Sequence, residues 1–298
     1  RWIEGKMNQY LNKLLSTTEE DYVIASDTDS IYLNLGPLVD KFFANKSSDK
    51  AKVVELLDKI CSDKLEPYID KCYTELASYV SAYDQKMQMK RENIADRGIW
   101  TAKKRYILNV WNSEGVQYSE PKLKMMGIEA VKSSTPAPCR KMIKDALKLM
   151  MSGTEEEVID FIDQSRSEFK SLPPEQISFP RSVSDVVKYK SSSSIYIKGT
   201  PIHCRGALLF NHYIKKNKLD NKYSLIKNGE KIKFCYLKKP NPMHENVISF
   251  IQDFPKELDI DKYLDYDLQF EKSFVEPLKA ILDAIGWNVE KTVNLELF

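Results

Sequence analysis

Two aspartates separated by one residue are the part of the sequence with the clearest chemistry. Asp27 and Asp29 lie in Ser26-Asp27-Thr28-Asp29-Ser30, and β-branched and aromatic residues flank this segment on both sides. Such flanks favour paired strands, so residues 22–35 are predicted to form a β-hairpin with the two carboxylates at its tip, which we call the acid hairpin. Residues two apart in extended chain share a face, and carboxylates held that close repel unless a cation neutralises them. The pattern predicts a magnesium site, because Mg²⁺ is held by one or two carboxylates together with water and phosphates.

The same five residues also fit a solvated turn, since Asp and Ser are common turn formers and short motifs are weak signals. With its flanks, however, the segment resembles the metal-binding palm hairpin of family B DNA polymerases. The order of the later segments resembles the T4-like phage branch of that family, from about residue 2 to residue 298. The resemblance implies that Asp29 is the bridging metal ligand and that Asp27 is a secondary ligand.

Length and composition set wider limits. The chain of 298 residues is long enough for one large or two ordinary domains, and its formal net charge is +2. Five cysteines without metal-ligand or disulfide-dense spacing predict reduced, mostly buried thiols and a cytosolic (cytoplasmic) protein. No membrane-length apolar run and no charged-then-apolar leader occur in the sequence. We therefore expect neither membrane insertion nor secretion.

The apolar pattern predicts an α+β fold. Apolar residues recur at helical spacing in residues 1–15 and again over residues 53–81, where Pro67 interrupts the helix. Strands are predicted near residues 87–94, 99–103, 105–111 and 116–118, with a tight reversal at 112–115. We expect an antiparallel sheet backed by helices in residues 1–135, which the resemblance identifies as part of a palm. The resemblance implies that residues 136–298 form a mainly helical thumb domain, in which Thr154 and Glu157 are predicted to form the capping box of a helix.

Basic residues concentrate in the predicted sheet. Residues 86–132 contain ten basic and five acidic side chains, a balance that fits either a phosphate-binding surface or a solvated sheet face. Within them, Lys104 and Tyr106 are predicted to share a strand face, because they are two residues apart. Lys103-Lys104-Arg105-Tyr106 is similar to the Lys-Lys-x-Tyr motif that family B polymerases place against the minor groove of the primer terminus. The resemblance implies DNA contacts from Lys103, Lys104 and Tyr106.

Two neighbouring segments resemble the same family. Residues 127–136 are similar to the segment that follows the Lys-Lys-x-Tyr motif, whose lysine, here Lys132, also reaches the minor groove. Lys90-Arg91-Glu92 is similar to an Asp-Arg-Glu strand near the metal site, although Lys90 departs from that pattern. Glu92 is therefore expected either to lie near the metal ion without binding it directly, or to form a structural salt bridge with Arg91 or another neighbour.

The second half of the sequence carries two further expectations. Residues 202–206 resemble a thumb segment of the T4-like enzymes, which makes Arg205 the expected phosphate contact of the thumb. The last residues form a short apolar tail, and the resemblance implies that Leu295, Leu297 and Phe298 dock on a sliding clamp. The alternative is that this tail folds back on the thumb.

The implied function is that of the C-terminal part, or a subunit, of a replicative DNA-directed DNA polymerase. It would use primer–template DNA, a deoxynucleoside triphosphate and two Mg²⁺ ions for nucleotidyl transfer. The family's further aspartate strand and its triphosphate-binding helix do not occur in the sequence. We therefore expect a separate N-terminal part to complete the site, and this chain alone to be inactive.

Two other classes of function stay open. One is a metal-dependent phosphoryl hydrolase that uses Asp27, Asp29 and Glu92, and the other is a non-catalytic DNA- or clamp-binding module.

Overall fold

A computed structural model describes residues 1–43 and 49–290 of the chain. The chain divides into two compact units. The first comprises Arg1–Gly98 and Leu108–Lys124, and the second comprises Ile99–Ile107 and the described part of Met125–Phe298. Helices and antiparallel strands occur together, so the expected α+β class is confirmed. The sequence-based boundary at residue 135 differs from this division, which assigns residues 99–107 and 125–135 to the second unit.

The first unit contains four described helices and the predicted acid hairpin. The helices are α1 (Trp2–Leu15), α2 (Gly36–Phe43), α3 (Lys50–Ile60) and α4 (Glu66–Tyr79), and the hairpin strands are β1 (Val23–Asp27) and β2 (Ser30–Leu33). A π-helical turn at Cys61–Leu65 joins α3 to α4. Pro67 occupies the first turn of α4, where its lack of an N–H does no harm. The irregularity predicted at Pro67 therefore lies in the turn just before it.

The core of the first unit lies between α1, α4 and the base of the hairpin. Met7 and Cys72 are almost completely buried, and Ile3, Val23 and Ile69 pack into the same cluster. The helical spacing of Ile3 and Met7 is what the sequence predicted for α1. This packing fixes the root of the hairpin, from which its tip projects.

A three-stranded sheet follows in the order β3-β4-β5. Its strands are β3 (Asn93–Ala102), β4 (Arg105–Ser113) and β5 (Val116–Met126). The reversal predicted at 112–115 is present, and β5 is longer than expected. The strand predicted at residues 87–94 is wrong over residues 87–92, which have no regular structure.

The second unit continues with helices packed on another small antiparallel sheet. Its helices are α5 (Ala137–Ser152), α6 (Glu155–Lys170), α7 (Pro174–Ile177), α8 (Ile202–Lys216), α9 (Tyr266–Phe270) and α10 (Glu276–Leu282). Its sheet, in the order β6-β7-β8, consists of β6 (Phe179–Ser182), β7 (Lys231–Tyr236) and β8 (Val247–Phe250). The capping box of Thr154 and Glu157 opens α6 as the sequence predicts. Gly206 of α8 lies so close to Ser249 of β8 that a Cβ atom there would meet its backbone nitrogen at 2.9 Å.

All five cysteines are buried free thiols, in agreement with the sequence-based expectation. Burial raises the pKa of Cys235 to about 12, and hydrogen bonding to Ser178 offsets only part of this increase. A thiol with so high a pKa is unreactive at neutral pH. Among the described residues, no helix has both the length and the apolar character that a bilayer span requires.

Candidate functional site

The acid hairpin closes through a two-residue turn. Its register pairs Asp27 with Ser30, so Thr28 and Asp29 form the turn itself. Asp27 accepts hydrogen bonds from the backbone N–H of Thr28 (2.9 Å) and from its hydroxyl (3.3 Å). Asp29 is exposed. The prediction that the two aspartates share a strand face is therefore wrong in detail, because the chain is already turning at Asp29.

The base of the hairpin is fixed by helix α1. The side-chain oxygen of Asn8 accepts hydrogen bonds from the backbone N–H groups of Tyr22 (2.9 Å) and Val23 (3.2 Å). The backbone N–H of Asn34 donates to the Tyr22 carbonyl at 2.8 Å. Tyr22 and Val23 are buried, whereas the turn is exposed. The hairpin thus presents two carboxylates at the end of an anchored arm.

The two aspartates fit part of a magnesium site. Mg²⁺ takes oxygen ligands and is commonly held by one or two protein carboxylates together with phosphates and water. Over residues 1–43 and 49–290, no group of three or more His, Cys, Asp or Glu side chains lies close enough to hold a metal ion. The donor set at the tip suits a hard cation, and it leaves coordination positions for other ligands.

Glu92 forms an ion pair with Lys124. This hydrogen bond lowers the pKa of Glu92, so the carboxylate is held in its charged form. Of the two interpretations open from the sequence, this contact favours the structural salt bridge, although with Lys124 of β5 rather than with Arg91. Within the described part of the chain, Glu92 belongs to no group of three or more His, Cys, Asp or Glu side chains that could hold a metal ion.

Side chains of other elements hold Arg91, which lies in the irregular segment 87–92. Its backbone N–H donates to the side chain of Glu66 at 2.9 Å instead of to a strand neighbour. Its guanidinium donates to Asn112 at 3.0 Å and also bonds Asp58. Side chains of α3, α4 and β4 therefore hold this segment, and alternation of residue types could not reveal such contacts.

The turn between β3 and β4 consists of Lys103 and Lys104, both exposed. Lys104 has φ 60°, a left-handed conformation that costs a non-glycine residue about 1 kcal/mol. Tyr106 lies in β4 and is only 6% exposed. The prediction that Lys104 and Tyr106 share a strand face is wrong, because the alternation rule applies to extended chain and Lys104 is not extended.

Gly127 packs directly against this turn. It has φ 66°, and a Cβ atom at this position would lie 2.4 Å from the carbonyl oxygen of Lys104 and 2.9 Å from Cγ of Arg105. Only glycine fits both the backbone conformation and the space. The segment after β5 thereby contacts the backbone of Lys104 and the side chain of Arg105.

An ion-pair network extends the contact. Arg105 donates to both carboxylate oxygens of Glu129, at 2.9 and 3.0 Å, and to the Gly127 carbonyl at 2.9 Å. Lys132 donates to the same carboxylate at 2.8 Å. We call Lys103, Lys104, Arg105, Glu129 and Lys132 the basic cluster. The ion pairs thus link Lys132 to Arg105, the residue that follows the turn, although the two lie in separate segments of the sequence.

The pKa values reflect this network. Burial raises the pKa of Glu129, but hydrogen bonds from Arg105 and Lys132 outweigh that effect and bring it to about 2. The hydrogen bond to Glu129 raises the pKa of Arg105. Both groups are therefore charged at neutral pH. No role was predicted for Arg105 or Glu129 from the sequence. The signal that could have identified Glu129 is its position as an acidic residue between Lys124 and Lys132.

Arg205 lies in α8 and is largely engaged within the second unit. Its guanidinium donates to Asn246 at 2.6 Å and lies 5.7 Å from the ring of Tyr196. Its Nε atom is buried and has no hydrogen-bond partner among the described residues. These contacts hold Arg205 in place, and its contact with a phosphate stays a prediction. The expected clamp-binding residues Leu295, Leu297 and Phe298 lie outside the described residues.

The amino-acid sequence is similar to those of known phage proteins. The chain is 35% identical to the DNA-directed DNA polymerase of Escherichia phage RB69 over 99% of its own length and 34% of the relative's. It is 30% identical to the DNA-directed DNA polymerase of Enterobacteria phage T4, with the same coverage of both chains. No protein-family model matches the chain. The chain is therefore a homologue of the DNA polymerases of T4-like phages, and it spans about a third of their length.

Proposed function

We propose that the chain is the C-terminal part of a replicative DNA-directed DNA polymerase, with the late palm in residues 1–135 and the thumb in residues 136–298. The observation that carries the proposal is the basic cluster. In it, ion pairs through Glu129 join Lys132 to Arg105, which follows the Lys103-Lys104 turn, in a chain whose relatives are DNA polymerases. Such a surface suits the phosphates and groove edges of a primer–template duplex.

The duplex contacts are assigned to residues by their exposure. Lys103 and Lys104 are exposed and Lys132 is half-exposed, so these three supply ammonium groups to the duplex. Tyr106 is 6% exposed and offers at most its hydroxyl group. Donors of this kind suit minor-groove acceptors, which recur at matching positions in different base pairs. Binding is therefore expected to check the shape of a base pair rather than its identity.

The acid hairpin supplies metal ligands in this proposal. Asp29, exposed at the tip, would be the main Mg²⁺ ligand and Asp27 the secondary one. When bound, Mg²⁺ would stabilise the entering and leaving oxygens as the primer 3′-hydroxyl displaces pyrophosphate from a deoxynucleoside triphosphate. Asp29 orients the site and balances its charge. Glu92, paired with Lys124, takes no part in metal binding.

The remaining groups come from a partner in this proposal. The chain spans 34% of the length of its relatives, and the described residues offer only the two hairpin carboxylates at the proposed site. We propose that an N-terminal polymerase and exonuclease part completes the two-metal site and binds the triphosphate. The tail around Leu295, Leu297 and Phe298 would dock on a sliding clamp, and the complex would act in the cytoplasm of the host cell.

The test of duplex binding is a titration of a fluorescent primer–template duplex with the monomeric chain at several salt concentrations. Lys103→Ala/Lys104→Ala should weaken binding and lower the slope of log K against log salt by about 2, one for each lost phosphate-neutralising charge. Lys64→Ala, at an exposed lysine of the first unit, is the matched control. Failure of the wild-type chain to bind, or equal losses in both variants, would contradict the proposal.

A metal-dependent hydrolase is the second candidate function, favoured by the two carboxylates at an exposed tip. It predicts Mg²⁺-dependent cleavage of phosphodiesters by the isolated chain. We expect no such cleavage, because two carboxylates hold too little of the coordination sphere to position a metal ion and its activated water. Cleavage that Asp29→Ala abolishes would support the hydrolase instead.

A further inference from the structure

The ammonium group of Lys132 is held in place by Glu129. The two groups are 2.8 Å apart, and the Lys132 side chain is 41% exposed whereas that of Glu129 is 21% exposed. The lysine therefore reaches solvent from a carboxylate that is mostly covered. An ammonium group has three donors. One is directed to Glu129, and as far as residues 1–43 and 49–290 are concerned the others remain available to a ligand.

The carboxylate that holds Lys132 is itself immobilised. Arg105 contacts both of its oxygens, and the same guanidinium donates to the Gly127 carbonyl. A bidentate pair of this kind fixes the plane of the carboxylate as well as its position. Lys132 is thus bound to a rigid group, in a network whose Arg105 directly follows the Lys103-Lys104 turn in the chain.

Such an arrangement affects how readily lysine binds a ligand. A free lysine side chain samples many rotamers, and ordering it on a ligand opposes binding. An ion pair that orders the side chain beforehand removes part of that opposition. The negative charge of Glu129 acts in the other direction, because it repels an approaching phosphate.

We propose that Glu129 is a positioning residue for duplex binding, which holds Lys132 beside the Lys103-Lys104 turn so that their ammonium groups contact the duplex together. The inference rests on the proposed function. It assigns a favourable role to an acidic residue on a surface that binds a polyanion. Charge repulsion alone predicts that Glu129 weakens duplex binding. Whether a substitution of Glu129 weakens or strengthens duplex binding therefore decides between a positioning role and simple repulsion.

The experiment measures binding of a fluorescent primer–template duplex to the full chain at several salt concentrations. Glu129→Gln removes the charge and keeps the shape, and it should weaken binding roughly three- to tenfold through lost ordering of Lys132. Glu156→Gln removes an exposed carboxylate of α6 and should leave binding equal or slightly tighter. Urea unfolding of each variant verifies that it is folded in the assay.

A double-mutant cycle separates positioning from a merely structural role. In a Lys132→Met chain, Glu129→Gln should cost no further affinity, since the group that it orders is gone. Fully additive losses would overturn the proposal, and so would tighter or unchanged binding by Glu129→Gln. If Glu129→Gln does not fold, Glu129→Asp replaces it, with a smaller loss expected that again disappears in the Lys132→Met chain.

These outcomes are distinguishable from failure of the proposed function. If the wild-type chain does not bind the duplex, the proposed function fails. If it binds, and the Lys103→Ala/Lys104→Ala variant binds more weakly while Glu129→Gln binds more tightly, the function stands and the role of Glu129 is overturned.

Discussion

The acid hairpin and the basic cluster differ in how many contacts hold their charged side chains in place. At the hairpin, α1 fixes the base, while Asp29 lies exposed in the turn and Asp27 bonds the adjacent Thr28. In the basic cluster, Glu129 is bonded by two cationic side chains, and Gly127 is packed against the turn. Contacts within the chain thus order Arg105, Glu129 and Lys132 of the cluster, whereas the hairpin supplies only some of the ligands of a metal site. We therefore expect catalysis and duplex binding to be separable in this chain.

The largest effect is expected at the hairpin. Asp29→Ala should lower primer extension by a complete polymerase containing this chain by about 10³-fold or more, because metal-ion catalysis supplies several kcal/mol. Duplex affinity should change little, since the carboxylate orients metal rather than DNA. Asp40→Ala, at an exposed carboxylate of α2, is the control. Normal extension by Asp29→Ala would remove the hairpin from the proposed site.

The next effect tests the packing of the basic cluster. Gly127→Ala should destabilise the chain by about 2–4 kcal/mol, since the new methyl group meets a backbone carbonyl and the backbone has positive φ. Gly199→Ala is a matched control, because Gly199 has φ 86° and no atom within 4 Å of the new Cβ. Its cost should be about 1 kcal/mol. Urea unfolding measures both values, and equal costs would contradict the close contact with Lys104.

Low pH should reduce the stability that the ion pairs of Glu129 contribute to the fold. The pKa of Glu129 falls from 4.5 to about 2 on folding, so its ion pairs stabilise the fold fully above pH 4.5 and lose that effect as pH falls toward 2. The contribution is about 2 kcal/mol after allowance for partial exposure. The difference in free energy of unfolding between wild type and Glu129→Gln should therefore shrink between pH 6 and pH 3. A difference that does not depend on pH would contradict the network.

The smallest effects concern single duplex contacts. Lys104→Ala should lower the salt dependence of duplex binding by about 1 in log–log slope. Lys104→Ala and Tyr106→Phe should each impair primer extension for all terminal base pairs alike, because minor-groove acceptors are shared. Extension assays with the four possible terminal pairs measure this. A defect confined to particular bases would show readout of sequence.

A clamp-binding tail predicts a selective effect. Deletion of residues 295–298 should leave extension of short primers intact and reduce its stimulation by a sliding clamp. The comparison requires the same complex with and without the clamp. An unchanged response to the clamp would reject this docking site.

Local sequence patterns predicted most of the fold. Helix α1, the acid hairpin, the reversal at 112–115 and the capping box of α6 all depend on neighbouring residues, and all are present. The errors occur where contacts distant in sequence decide the structure. Within residues 87–92, which form no strand, Arg91 is held by side chains of other elements.

The candidate site was predictable to the same extent. Residue types and family resemblance identified the aspartates and lysines, but the left-handed Lys104 and the network through Glu129 depend on the approach of Gly127 from 22 residues or more farther along the chain. No periodicity encodes that approach.

The most direct test of the central proposal is primer extension by this chain, by the N-terminal part of a T4-like phage polymerase, and by their mixture. We expect Mg²⁺-dependent, templated extension from the mixture and none from either part, because the described hairpin supplies only two of the carboxylates around the proposed metal site. A mixture that contains Asp29→Ala should be inactive. Robust templated synthesis by this chain alone, undiminished by Asp29→Ala, would contradict the proposal.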